Sequence, residues 1–238
     1  LYYAPNNAVI VMVGDFKSDE MLAKIKAAYG KIPRGPEPPK LTLVEPSQRG
    51  EKRVTLKKEA ELPILMLFHH APNLHSPDSF ALDLLSIVLA GGKSSRLYQE
   101  LVYQKRLVRG IDADYSAVSM DATGISISAQ LLPGAELANV EQQIDRLLDK
   151  VKVELVSERE MQKAKNQIEA GFIFAQDSIF GQAVKVGYYE MVGGWRLVDS
   201  YLDNMRKVTR EDLRRVAQKY LQRDNRTVGT LIPTKANN

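Results

Sequence analysis

Apolar positions along this chain recur with two periods, close to 3.6 and close to two, and each period predicts an element. Residues 8–14, AVIVMVG, are apolar and β-branched and predict a buried strand, with Pro5-Asn6-Asn7 as a turn ahead of it. Ser18 to Tyr29 reads as a helix with Ser18 as N-cap, Leu22, Ile25 and Ala28-Tyr29 facing inward, and Gly30 as the stop. Pro33, Pro36, Pro38, Pro39 and Pro46 then exclude helix and central strand. This stretch is expected to be a semi-rigid linker, with a domain boundary within residues 33–50.

Strands are predicted at 53–58 and 64–70. A helix is expected from Pro77, in an N1-type position, to Ala90. Gly91-Gly92 can stop it, and a second helix then runs from Arg96 to about Lys105 with Ser94 or Ser95 as its cap. Residues 107–118 and 123–131 alternate with period two. Ile125, Ile127, Ala129 and Leu131 fall on one face of the second strand, Ser126 and Ser128 on the other, and Asp121 to Gly124 is the turn candidate.

The remainder is mostly helical. Val140, Ile144, Leu148 and Val151 recur at 3.6 spacing within 135–152. Ser157 to Glu160 is a capping box opening a long helix expected to end near Gly181. Further helices are predicted up to Met191, over Trp195–Met205, and from Thr209 with Leu213, Val216 and Tyr220 inward. Residues 226–232 form a closing strand. The fold class is therefore α+β: a mostly antiparallel sheet with helices packed on one face. Tyr220 to Val228 echoes Tyr3 to Val9, since both run from an aromatic residue through a polar turn into a β-run.

Composition narrows the function. At 238 residues, 44% apolar and 26% charged, the chain is long enough for a sizeable core. No run of 18 apolar residues occurs, so no membrane span is expected. The net charge of +4 comes from Lys and Arg interspersed with acids, as in Glu158-Arg159-Glu160, so a mixed surface and no nucleic-acid partner is the reading. Without Cys there is no disulfide, thiol nucleophile or thiolate metal ligand. The chain begins at Leu1 and reads as a fragment whose upstream part is missing.

Candidate chemistry is sparse. The histidines are His69, His70 and His75. His69 and His70 are adjacent at a strand end and so face opposite ways, and no acid lies between His70 and His75. No metal site and no catalytic residue is expected. Gly91-Gly92-Lys93-Ser94 lacks the first glycine of a phosphate loop, because position 87 is Ile87. Ser94 and Ser95 sit in no nucleophile elbow.

The run Leu89-Ala90-Gly91-Gly92-Lys93-Ser94-Ser95-Arg96-Leu97-Tyr98-Gln99-Glu100-Leu101 resembles a recurring signature of the pitrilysin-like zinc peptidases, the family with the inverted H-x-x-E-H motif. Tyr2 through Phe16 resembles a segment found late in that family's first domain. The resemblance implies that 1–45 is the end of a first peptidase domain plus the Pro-rich linker, and 46–238 a second domain that binds no metal. It implies zinc in the full-length protein, held by the missing first domain, and none in this chain. The family's second-domain Arg/Tyr pair is absent, because Val102 and Arg109 stand at its positions. Arg96, Arg106 and Arg109 in this region are the candidate substrate-binding residues. The implied function is the non-catalytic half of the substrate chamber of a zinc-dependent endopeptidase acting on peptides or unfolded segments. A homodimer is implied, or a heterodimer with a related subunit carrying the Arg/Tyr pair. The bacterial periplasm or cell envelope is the expected compartment. The alternative is a non-catalytic assembly or scaffold protein of the same fold.

Overall fold

The structure, a computed structural model, describes residues 2–39 and 45–234. Contacts divide the chain into two compact units: residues 1–46 with 172–198, and residues 47–171 with 199–238. Residues 172–198, which the sequence reading put in the second domain, thus group with the N-terminal residues.

The larger unit is built on one five-stranded sheet. Its strands are β1 (Lys52–Glu59), β2 (Ile64–Ala71), β3 (Val108–Tyr115), β4 (Thr123–Leu131) and β5 (Arg226–Thr234). Their order across the sheet is β1-β5-β2-β4-β3. β2 pairs antiparallel with β5 and β4, and β3 pairs antiparallel with β4, while β1 runs parallel to β5. The chain is thus α+β with a mostly antiparallel sheet, as the alternation along 123–131 required.

Helices cover one face. α2 (Asp78–Ala90) and α3 (Leu137–Val153) each pack on α7 (Arg210–Tyr220), α2 also on β3 and α7 on β2. Their apolar stripes meet the inward residues of the strands. Leu65, Leu67, Ile125, Ile127, Ala129 and Leu131 are all buried there, together with Leu82, Leu85, Val140, Ile144 and Val216. The capping box at Ser157 forms as expected: Glu160 N–H donates to Ser157 Oγ at 3.2 Å, and Ser157 N–H donates back to Glu160 Oε2 at 2.8 Å. Thr209 and Asp212 make a second such box at the start of α7.

Several expectations need correction. The 96–105 segment continues from two α-helical residues, Arg96-Leu97, into a π-helix, Tyr98–Gln104, and Lys105 N–H at its end reaches Glu100 O five residues back. Neither serine caps it: Ser95 Oγ donates to Gly92 O, and Ser94 Oγ accepts from Lys163 Nζ. Pro77 occupies the N-cap of α2 rather than its first turn. The β3–β4 turn lies before Thr123, and Gly124 is already in the ladder opposite His70. Its lack of a side chain serves a close approach: a Cβ there would come within 2.2 Å of the Phe68 ring.

The smaller unit holds α1 (Ser18–Tyr29) and α5 (Ile179–Val192), with parts of α4 (Glu158–Phe174) and α6 (Leu197–Lys207). Residues 8–14 are not a strand, and Val9, Ile10 and Met12 are about half exposed, at 50%, 50% and 46%. A β-run becomes a strand only where a neighbour takes its N–H and C=O groups, and no described strand pairs with this one. α1 has the expected bounds, but Lys17 rather than Ser18 is its N-cap and none of its residues is buried. α4 ends at Phe174, not near Gly181, because Ser178 caps a new helix by accepting from Gly181 N–H at 3.0 Å. The tail beyond Thr234 and part of the linker, 40–44, lie outside the described residues.

Candidate functional site

The signature turn is a docking device. Gly91 N–H closes the last turn of α2 onto Ile87 O, and Gly92 then takes φ +89, where a side chain would be strained. Arg96, just after the turn, grips Glu160 of α4 through two bonds, Nε–Oε1 at 2.6 Å and Nη2–Oε2 at 2.9 Å. This fork, helped by Ser157, outweighs burial and holds the Glu160 carboxyl down to about 2. Lys163 of α4 reaches Ser94, and Gln167 of α4 reaches Gly91 O. Arg96 is therefore committed to binding α4.

Arg106 and Arg109 lie together, near the start of β3. Arg106 is exposed and has φ +50, the left-handed region that a non-glycine residue enters at a cost. Arg109 is exposed at a bulge, where the register shifts between Val108 and Gly110. The fold thus brings two of the three arginines to one sheet edge and ties the third to α4.

The histidines do not fit a zinc site. His69 is 1% exposed and points inward, opposite Arg226 in the ladder. Burial and the nearby guanidinium push its imidazole down to about 3, so it is neutral over the ordinary pH range, and a cation beside Arg226 would be repelled. His70 alternates to the other face, and His75 is exposed in the loop before α2. Among the described residues no group of three or more His, Asp or Glu could hold a metal ion.

Arg226 itself is an internal brace. Only 2% exposed, it donates to Glu51, to Asp145 at 2.5 Å and to Glu141 at 3.2 Å, joining β5 to α3 and to the residue before β1. Asp78, at the start of α2, is braced likewise by Arg215, Lys219 and Tyr220 of α7. Burial would raise its carboxyl, but these donors win and hold it down to about 2. Both networks stiffen the helical side of the sheet.

The opposite face of the sheet is open. Strand alternation and register place Val54, Gly229, Met66, Ser128 and Asp112 in one row across it. Lys52, Thr227, Phe68, Ser126 and Asp114 form the next row. Leu56, Leu231 and Ile64 extend the apolar part on the other side. Val54 is 61% exposed, Leu56 55% and Met66 45%. Sequence reading passed over these positions. The available signal was that ILMLF in β2 is apolar at both parities, whereas a strand with one wet face alternates.

Comparisons with known proteins agree with this architecture. The family described as "Peptidase M16 inactive domain" matches residues 1–168. "Zinc protease PqqE" of Helicobacter pylori is 28% identical over 236 residues, covering 98% of this chain and 53% of that protein. A crystal structure of a protease from Helicobacter pylori superposes with a TM-score of 0.93 at 28% identity, over 98% of this chain and 57% of that one. The peptidase M16 inactive domain from Pseudomonas fluorescens shares the fold, with a TM-score of 0.76 at 19% identity over 94% of this chain and 53% of that one. The chain spans about half the length of the curated relatives it matches. With its signature turn, its α+β sheet and this match over residues 1–168, the chain belongs to the peptidase M16 inactive-domain family, whose relatives here are named zinc proteases.

Proposed function

We propose that this chain is the non-catalytic wall of a substrate chamber in a zinc-dependent endopeptidase, with zinc and the water-activating base supplied by a separate domain preceding it. The observation that carries this reading is the open sheet face. A soluble sheet normally covers such a face or makes it polar, whereas Val54, Leu56 and Met66 leave it apolar and accessible. Peptides and unfolded segments offer the matching apolar surface. In this reading Arg106 and Arg109, exposed at the β3 edge, would meet substrate carbonyls or carboxylates, and Arg96 would contribute indirectly by fixing the signature turn to α4. A homodimer, or a heterodimer with a related subunit supplying the missing Arg/Tyr pair, would complete the chamber, and the bacterial periplasm or cell envelope is its proposed setting.

Two measurements test this. The 238-residue chain, incubated with unfolded polypeptide and added zinc, should give no cleavage; zinc-dependent turnover would overturn the reading. Titration with apolar peptides should shift amide NMR signals of Val54, Met66 and Gly229; shifts confined to the helical face would count equally against it.

A further inference from the structure

The open face is not uniform, and its gradient describes an occupant. Across the sheet, the row that starts at Lys52 on β1 ends at Asp114 on β3, passing Thr227, Phe68 and Ser126. The adjacent row starts at Val54 and ends at Asp112. Lys58 adds a second cation on the β1 side of this face, two positions beyond Leu56. Lys52, Lys58, Asp112 and Asp114 are all exposed. The face therefore runs from positive through apolar to polar and then negative, perpendicular to the strands.

We infer that this face selects extended peptide segments laid across the strands, with an acidic residue at one end, apolar residues in the middle and a basic residue at the other. The inference rests on the chamber-wall reading and adds the substrate class to it. Geometry sets the spacing. Four inter-strand gaps of about 4.8 Å put β3 about 19 Å from β1, and an extended chain rises about 3.3 Å per residue. The two charges of the ligand then lie about six positions apart. An acid over Lys52 and a base over Asp114 leave the apolar middle on Phe68 and Met66 of the central strand β2. Addition of a peptide along the β1 edge is the competing mode, and it would use main-chain hydrogen bonds with little regard for a charge at the far side of the sheet.

The test uses the whole 238-residue chain and capped heptapeptides with Val, Phe, Leu, Thr and Ser between the ends. One carries Glu first and Lys last; the others carry Glu at both ends, Lys at both ends, or the opposite charges only three positions apart. Affinity is read by NMR titration. The Glu/Lys heptapeptide should bind roughly threefold to tenfold more tightly than each of the others, the scale of one or two exposed charge pairs. Lys52→Glu should shift the preference to the peptide with two lysines, and Asp114→Lys to the one with two glutamates; both sites are exposed, so the fold is retained. Equal binding of all four peptides, with Met66 and Gly229 still perturbed, overturns the charge layout and leaves the wall reading standing. Signals perturbed only along the free edge of β1 also overturn the layout. Unchanged binding in Met66→Glu, or no binding of any peptide at millimolar concentration, overturns the wall reading and this inference together.

Discussion

Two segments built from the same order of local features end differently in this molecule. Tyr3 to Val13 and Tyr220 to Ile232 both pass from an aromatic residue through a short 3-10 turn, Pro5–Asn7 in one and Arg223–Asn225 in the other. Both leave the turn extended, Ala8 at φ −130, ψ 143 and Arg226 at φ −111, ψ 139. From there they diverge. β5 slots between β1 and β2 and becomes an interior strand, while residues 8–14 pair with no described strand and keep Val9, Ile10 and Met12 about half exposed. Local chemistry makes a segment extended; only a neighbour makes it a strand. The unit around β5 owes its order to long-range partners, and the unit around residues 8–14 has few buried side chains, Tyr189 and Val192 among them.

The largest expected effect sharpens this contrast at its centre. Arg226→Ala would leave Glu51, Glu141 and Asp145 facing a vacated site, and removing one partner of a buried ion pair costs about 3–5 kcal/mol. Urea unfolding measures it. A loss under about 1 kcal/mol would mean that β5 does not depend on that brace. Next come paired truncations. Leu67→Ala, at a fully buried position of β2, should cost about 2–5 kcal/mol, whereas Ile10→Ala should change stability by under about 0.5 kcal/mol. Equal costs would break the comparison, because residues 8–14 would then be packed like a core strand.

Smaller effects follow from pH. Asp83 on α2 keeps some exposure, yet protein surrounds it closely enough to push its carboxyl up to about 7, against the hydrogen bond from Tyr201 at 2.8 Å, with Asp114 adding repulsion. Its unfolded value is near 3.9, so between about pH 4 and 7 the folded chain holds the extra proton and stability falls as pH rises. Asp83→Asn keeps an acceptor for Tyr201 and removes the ionisation. It should be neutral near pH 4 and stabilising at pH 8, by thermal melting at the two pH values. Asp78 has the opposite sign. Its carboxyl lies below the unfolded value, so its contribution is present above about pH 4 and is lost as pH falls toward about 2. The smallest contrast is at the caps. Thr209→Ala and Ser178→Ala each remove about 1 kcal/mol of cap stability. The first should lower the global melting temperature. The second should speed amide exchange in α5 alone.

Much of the larger unit was legible. The Ser157 and Thr209 caps, the alternation in 123–131 and the heptad-like spacing in 135–152 are each stated by residues within a few positions of one another. The π-helix was not legible, because its side-chain pattern over 98–104 looks helical and only the backbone reveals a bond from Lys105 to Glu100. Gly124 looked like a turn residue because a turn and a close approach to Phe68 both call for glycine. The open face was half legible. Apolar residues at both parities of β2 announced a second apolar side, but that Lys52 and Asp114 terminate one row depends on a register shared by all five strands.

The sequence by itself determined the capped starts at Ser157 and Thr209, which residues of 123–131 alternate, and that the histidines, without an acid between them, make no H-x-x-E-H site. Those are decided by bonds and clashes over a handful of residues. The tertiary structure alone decided that β1 runs parallel to β5, that Arg226 is buried among three carboxylates, and that residues 8–14 stay outside the described sheet. The first two join groups far apart in the chain, and the third is the lack of such a partner. Such contacts form only after the loop-closure entropy has been met by burial elsewhere, so no local pattern announces them.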